Sequence, residues 1–157
     1  MHTPGRGEGA LRRHRASLPQ ARYFVTLCSR DPTRALTDPT IARSIFIELD
    51  GIAESGHWHE RAAVLMPDHL HLFVRLGDEL PLARCIARLK SRTRGSLAAA
   101  GLAWQRNFYE HRLRPADGDA DVLRYLFLNP YRAGLLPLEK SYPWWRISAC
   151  DSECFSN

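Results

Sequence analysis

One stretch narrows the possible folds more than any other: Ala62-Ala63-Val64-Leu65-Met66, then Pro67-Asp68, then His69-Leu70-His71-Leu72-Phe73-Val74-Arg75-Leu76. The second run alternates almost without interruption, which is the period of a strand, and Pro-Asp between two apolar runs is turn chemistry. The pair therefore reads as an antiparallel hairpin. Upstream, Tyr23-Phe24-Val25-Thr26-Leu27-Cys28 is dense in aromatic and β-branched residues and reads as a first strand. Asp38-Pro39 reads as a helix cap followed by proline at the first helical position, and Ile41, Ile45, Leu49 and Ile52 supply one apolar face before Gly56. Downstream, the spacing predicts a second helix over about 80–100, with Leu82, Ile86, Leu89 and Leu97 on or near one face and Gly101 ending it. Trp104 to Arg114 contains a fourth strand. A third helix opens at Asp119 or Asp121, runs through Leu128 and is closed by Pro130.

This order of elements describes an α+β, ferredoxin-like domain: an antiparallel four-stranded sheet with helices packed on one face. Residues 1–20, rich in Gly, Arg and Pro, read as a flexible basic arm, 21–145 as the domain and 146–157 as a short tail.

Within the hairpin, His69 and His71 lie two apart on a strand, so both imidazoles project from one face while Leu70 enters the other layer. Two adjacent imidazoles hold a divalent metal if a further ligand joins them; otherwise they form an ordinary polar strand face. His57-Trp58-His59 repeats the pattern, but it follows Gly56, and a solvated loop accounts for it. On the third helix Tyr125 and Asn129 are four apart, on one side and about 40° from each other. Taken singly, a tyrosine beside core residues is packing and an asparagine before proline is a helix end.

Charge adds a partner class. The chain carries 22 Lys and Arg against 17 Asp and Glu, a net charge of +5, and all but Lys90 and Lys140 of the basic residues are arginine. Between Leu80 and Tyr109 there is no acidic residue but there are six basic ones: Arg84, Arg88, Lys90, Arg92, Arg94 and Arg106. Together with Trp104 as a base-stacking aromatic, they read as a phosphate-tracking surface. Arg12, Arg13 and Arg15 of the arm could enter a groove of the same nucleic acid. The four cysteines, Cys28, Cys85, Cys150 and Cys154, show no paired CxxC spacing, and no apolar run suggests a signal peptide or a membrane span. A reduced, cytoplasmic (nucleoid-associated) protein with no membrane partner is the expectation.

The entry strand Tyr23-Phe24-Val25-Thr26 resembles part of a known pattern. So do Val64-Leu65-Met66-Pro67-Asp68-His69-Leu70-His71-Leu72, Trp104-Gln105 leading to Phe108-Tyr109-Glu110-His111 and Arg114, and Tyr125 with Asn129-Pro130-Tyr131-Arg132-Ala133-Gly134-Leu135. In this order, and followed by Tyr142-Pro143-Trp144, they resemble the REP-associated tyrosine transposases of the single-tyrosine HUH superfamily. The arm before Tyr23 and the Trp145-Arg146 tail depart from the family pattern. The resemblance implies an endonuclease of transposase type that cuts and rejoins single-stranded DNA at structured repetitive hairpins through a 5′-phosphotyrosine. It further implies Tyr125 as nucleophile on a catalytic C-terminal helix, with His69, His71 and Asn129 holding Mg²⁺ or Mn²⁺. It leaves open whether one chain or a homodimer acts. The rival from another class is a hairpin-binding protein without strand transfer; a zinc hydrolase lacks a third strong ligand such as a HExxH set would provide.

Overall fold

A computed structural model describes residues 16–33 and 35–148. Among these residues the order is β1 (Arg22–Cys28), α1 (Pro39–Glu54), β2 (Trp58–Leu65), β3 (His69–Leu76), α2 (Leu82–Ala99), β4 (Tyr109–Arg112), α3 (Asp119–Arg132) and β5 (Trp145–Ile147). All pairings are antiparallel, and the sheet order is β4-β1-β3-β2-β5. The α+β class stands, but the sheet has five strands rather than four. β5 was missed because three residues are too few to show a period. It also carries the sheet across the expected boundary between 145 and 146. At the other end, Gln20 is tied to the sheet by a backbone bond to Leu76 (2.9 Å) and a side-chain bond to Asp78 (3.0 Å).

β3 is the central strand and is covered on both sides, which explains why its alternation is apolar against nearly apolar. One face presents Val25, Leu27, Ala63, Leu65, Leu70, Leu72 and Val74 to Ile45 and Leu49 of α1 and Ile86 and Leu89 of α2. The opposite face presents Phe24, Ala62, Val64 and Phe73 to Leu123 and Leu126 of α3 and to Tyr142. The helices therefore do not share one face: α3 packs alone on the second. Nothing in a helix's own apolar stripe says which side of a sheet it will cover, so that expectation is corrected by tertiary packing.

Local chemistry explains the placement of these elements. Asp38 accepts hydrogen bonds from the backbone N–H groups of Thr40 and Ile41, capping α1 ahead of Pro39. A bulge between Glu60 and Ala62 breaks the alternation of β2. Arg61 sits there, with its guanidinium over the Phe73 ring and against Asp119 (2.8 Å). Arg22 also pairs with Asp119. Two guanidiniums thus hold one carboxylate in the first turn of α3, where the helix dipole also favours negative charge. This fixes how α3 starts across the sheet. Pro130 lies inside the last turn of α3 instead of ending it. Its missing N–H removes one i→i−4 bond, to the Leu126 carbonyl, but the helix continues and closes beyond it through Ala133 N–H to Asn129 C=O (3.0 Å), with Gly134 in the left-handed region.

His57-Trp58-His59 is not a loop throughout: Trp58 opens β2 and is buried under the helices. No helix among the described residues is long and apolar enough to cross a membrane.

Candidate functional site

The hairpin turn is tight. Met66 N–H donates to the His69 carbonyl (2.7 Å), so His69 is the first residue of β3 and stands at the end of the sheet. Register sets His69 opposite Cys28, and His71 between Thr26 on one side and Val64 on the other. The alternation expected for His69 and His71 is realised: the rings lie 4.4 Å apart between centroids and their Nε2 atoms are 3.0 Å apart.

The outward nitrogens decide what those inward nitrogens can do. His69 Nδ1 lies 2.6 Å from a carboxylate oxygen of Asp68, which can only accept, so Nδ1 carries the proton and Nε2 a lone pair. His71 Nδ1 lies 2.8 Å from Thr26 Oγ1. Burial, and then the neighbouring His69, push the His71 pKa down to about 3, so the ring is neutral at ordinary pH. The Thr26 hydroxyl can donate or accept: with the His71 proton on Nε2 the 3.0 Å contact is a hydrogen bond to His69, and with it on Nδ1 both Nε2 lone pairs aim at one point, where a cation would be held. The donor set is of the imidazole type that suits divalent first-row metals. Two ligands at right angles around an ion, each about 2.1 Å away, stand about 3.0 Å apart. The 3.0 Å found here therefore fits two adjacent positions of an octahedral ion. Among the described residues no three His, Cys, Asp or Glu side chains gather around a common point.

α3 brings Tyr125 to the same side of the sheet. Its ring centroid is 6.0 Å from that of His71 and 5.9 Å from that of Phe24, which itself lies 5.1 Å from His71. Phe24 is thus the common wall between imidazole and phenol. Asn129 follows one helical turn later and is half-buried; neither it nor the Tyr125 hydroxyl makes a side-chain hydrogen bond among the described residues. Other tyrosines are engaged elsewhere. Tyr23 Oη accepts from Leu18 N–H (2.8 Å), and Tyr131 Oη donates to the Lys140 carbonyl (2.7 Å). Tyr142 Oη donates to the Leu65 carbonyl (2.5 Å), in a burial that pushes its pKa up to about 12.

The expected nucleic-acid residues do not gather around this centre. Arg12 and Arg13 lie outside the described residues. Arg84, Arg88, Lys90, Arg92 and Arg94 belong to α2, which packs on the opposite face of the sheet. Arg84 and Arg94 are exposed, Arg88 bonds His57 (3.2 Å), and Arg92 approaches Glu48 (3.9 Å). Lys90 is no phosphate contact: its ammonium donates to the carbonyls of Gln105 (2.8 Å), Arg106 (3.1 Å) and Asn107 (3.4 Å), and burial lowers its pKa. Trp104 is no stacking platform either. Its ring is part of the core and its indole N–H donates to the buried Thr93 hydroxyl (2.9 Å). Arg106 is exposed and follows Gln105, whose N–H donates to the Cys28 carbonyl at the sheet end that carries His69. Thr26 and Phe24 read in the sequence only as strand residues; nothing in the sequence gives the cross-strand register that sets them beside His71.

No family model matches the chain. A protein of Haemophilus influenzae (strain Rd), provisionally named a REP-associated tyrosine transposase, is 29% identical over 139 residues, which cover 78% of this chain and 77% of the relative. A solved structure of a REP-associated tyrosine transposase bound to a REP hairpin superposes with a TM-score of 0.73 at 17% identity, covering 84% of this chain and 79% of that one. A Deinococcus radiodurans R1 protein, provisionally named a transposase, superposes with a TM-score of 0.51 at 18% identity, covering 79% of this chain and 95% of that one. The resemblance to REP-associated tyrosine transposases read from the motifs is borne out.

Proposed function

We propose that this chain is a metal-dependent, single-tyrosine DNA strand transferase that cleaves and rejoins single-stranded DNA beside a hairpin. The observation that carries this reading is the Tyr125 ring lying 6.0 Å from His71 on the same sheet face. Had α3 packed with the other two helices, the phenol and the imidazoles would be separated by the sheet. The similarity to a transposase whose solved structure holds a REP hairpin supports hairpin DNA as partner.

In this reading the Tyr125 oxygen attacks phosphorus and displaces the 3′ oxygen of the preceding nucleotide. The phenolic proton ends, overall, on the released 3′-hydroxyl, and a 5′-phosphotyrosine remains. Because the phosphodiester bond is exchanged rather than hydrolysed, a DNA 3′-hydroxyl can reverse the step and reseal the strand. His69 and His71 would hold Mg²⁺ or Mn²⁺ through Nε2, with Asn129 as a further ligand. When bound, the ion supplies charge neutralisation at a non-bridging phosphate oxygen. Asp68 and Thr26 keep both imidazoles oriented with Nε2 facing inward. Phe24 closes one wall of the site and holds the Tyr125 ring edge-on. A cytoplasmic, nucleoid-associated location accompanies this reading.

The test incubates the protein with labelled hairpin DNA bearing single-stranded flanks and Mg²⁺ or Mn²⁺. A covalent adduct is expected, absent in Tyr125→Phe and in His69→Ala and His71→Ala, with hairpin binding retained. Tight hairpin binding with no adduct under any metal would instead identify a binding protein without strand transfer.

A further inference from the structure

The face of the sheet that carries the histidines is only partly covered. α3 packs over β2 and β3, and on the β4 flank of the same face Tyr109 and His111 are exposed. Register fixes what that flank presents. Tyr109 pairs with Thr26 and His111 with Phe24, so Tyr109 and His111 project to the same side as His71. Tyr109, Thr26 and His71 form one row across three neighbouring strands. With strands about 4.8 Å apart, Tyr109 lies about 10 Å along that row from His71.

Tyr109 is 41% exposed, and among the described residues it is the one aromatic side chain counted with the exposed large hydrophobics. Its neighbour His111 on the same face is exposed as well. The segment leading into β4 is held firmly: Lys90 gathers the carbonyls of Gln105, Arg106 and Asn107 and stands 5.8 Å from the Phe108 ring centroid. Arg106, in that segment, is exposed. Tyr109, exposed on a strand contiguous with the histidine site, and Arg106, exposed in the segment before it, offer what an unpaired base needs: a π-face to stack on and a cation for the adjoining phosphate.

We infer that Tyr109 and His111 form a stacking platform for the unpaired bases that flank the phosphate lying at His69, His71 and Tyr125, with Arg106 holding the backbone between them. The inference rests on the proposed strand-transfer reading, because that reading brings single-stranded DNA to this face. It assigns to the β4 flank the base-stacking part that buried Trp104 cannot play.

The test compares a fluorescent hairpin carrying oligothymidine flanks with the same hairpin made blunt, using the full chain with Tyr125→Phe to keep the DNA intact. Adding Tyr109→Ala is expected to weaken binding of the flanked hairpin about tenfold, which corresponds to the loss of one base–aromatic stack. Tyr109→Phe is expected to keep the affinity, since the π-face remains. Binding of the blunt hairpin is expected to be the same in all three, which also reports that the variants are folded. Equal affinity of the Ala and Phe variants for the flanked hairpin would overturn the platform while leaving the adduct assay, and with it the strand-transfer reading, intact. Absence of both adduct and hairpin binding in the unmodified chain would overturn both.

Discussion

Replacing Thr26 by valine removes one hydroxyl and little volume, and it isolates the contact that orients His71. The hydroxyl lies 2.8 Å from Nδ1 of a ring that is only 7% exposed, so water cannot readily take its place. A buried polar group stripped of its partner costs about 1–3 kcal/mol, which is read directly as a loss of folding stability in denaturant without added metal. A second consequence is separate. Thr26 can accept from Nδ1–H, and in that tautomer Nε2 carries the lone pair a metal would use; with the hydroxyl gone, that tautomer loses its partner. Loss of such an outer partner typically costs about 10–100-fold in metal affinity or activity. Mn²⁺ titration and adduct formation with hairpin DNA measure this second effect. Thr26→Ser, which keeps the hydroxyl, is expected to restore both. If Thr26→Val unfolds at the same denaturant concentration as the unmodified protein and binds Mn²⁺ equally well, the orienting bond has no energetic role and the account of the histidine pair is wrong.

Three further outcomes follow from the same geometry. The His71 pKa is lowered from 6.5 to about 3, so between those values the unfolded chain binds a proton that the folded chain does not. Metal-free protein therefore loses stability as pH falls through that window, by at most about 1.4 kcal/mol per pH unit, and this part of the slope disappears in His71→Asn; parallel stability curves for the two proteins would contradict it. A Cβ on Gly77 would lie 2.4 Å from the Gly56 carbonyl oxygen and 2.9 Å from that of His57. Gly77→Ala is thus expected to destabilise by about 1–3 kcal/mol in denaturant unfolding, and an unchanged midpoint would show that the turn has slack. Trp104→Leu removes the ring and the buried bond to Thr93, and is expected to cost about 3 kcal/mol of stability while leaving hairpin affinity of the folded protein unchanged. A selective fall in affinity for flanked hairpins would return Trp104 to the nucleic-acid surface.

The placement of α3 connects fold and site. Asp119, held by Arg22 and Arg61, anchors the first turn, and Leu123 and Leu126 seat the helix on Phe24, Val64 and Phe73. Tyr125 packs against the same cluster as those two leucines, so its approach to His71 is set by core packing rather than by a side-chain hydrogen bond of its own.

Much of this architecture could be read locally. Alternation over 69–76 identified β3 and set His69 and His71 on one face, because side-chain direction on a strand depends only on parity. Asp38-Pro39 and the spacing of Ile41, Ile45, Leu49 and Ile52 located α1 for the same reason: cap and stripe are properties of a few consecutive residues. Tyr125 and Asn129 shared a helix side by spacing alone. The side of the sheet that α3 would cover was not legible, since an amphipathic helix fits either face. Nor was the fate of the basic run: Lys90 and Trp104 have the composition of a nucleic-acid surface, yet one ties down a loop and the other fills the core. β5, the Thr26–His71 bond and the row from Tyr109 to His71 depend on pairing between distant segments. The linear order of residues thus determined the elements, their apolar faces and the paired imidazoles, because each follows from short-range periodicity. Only the folded chain decided that a phenol 54 residues away would meet those imidazoles, because register and helix side are chosen by the packing of the whole sheet.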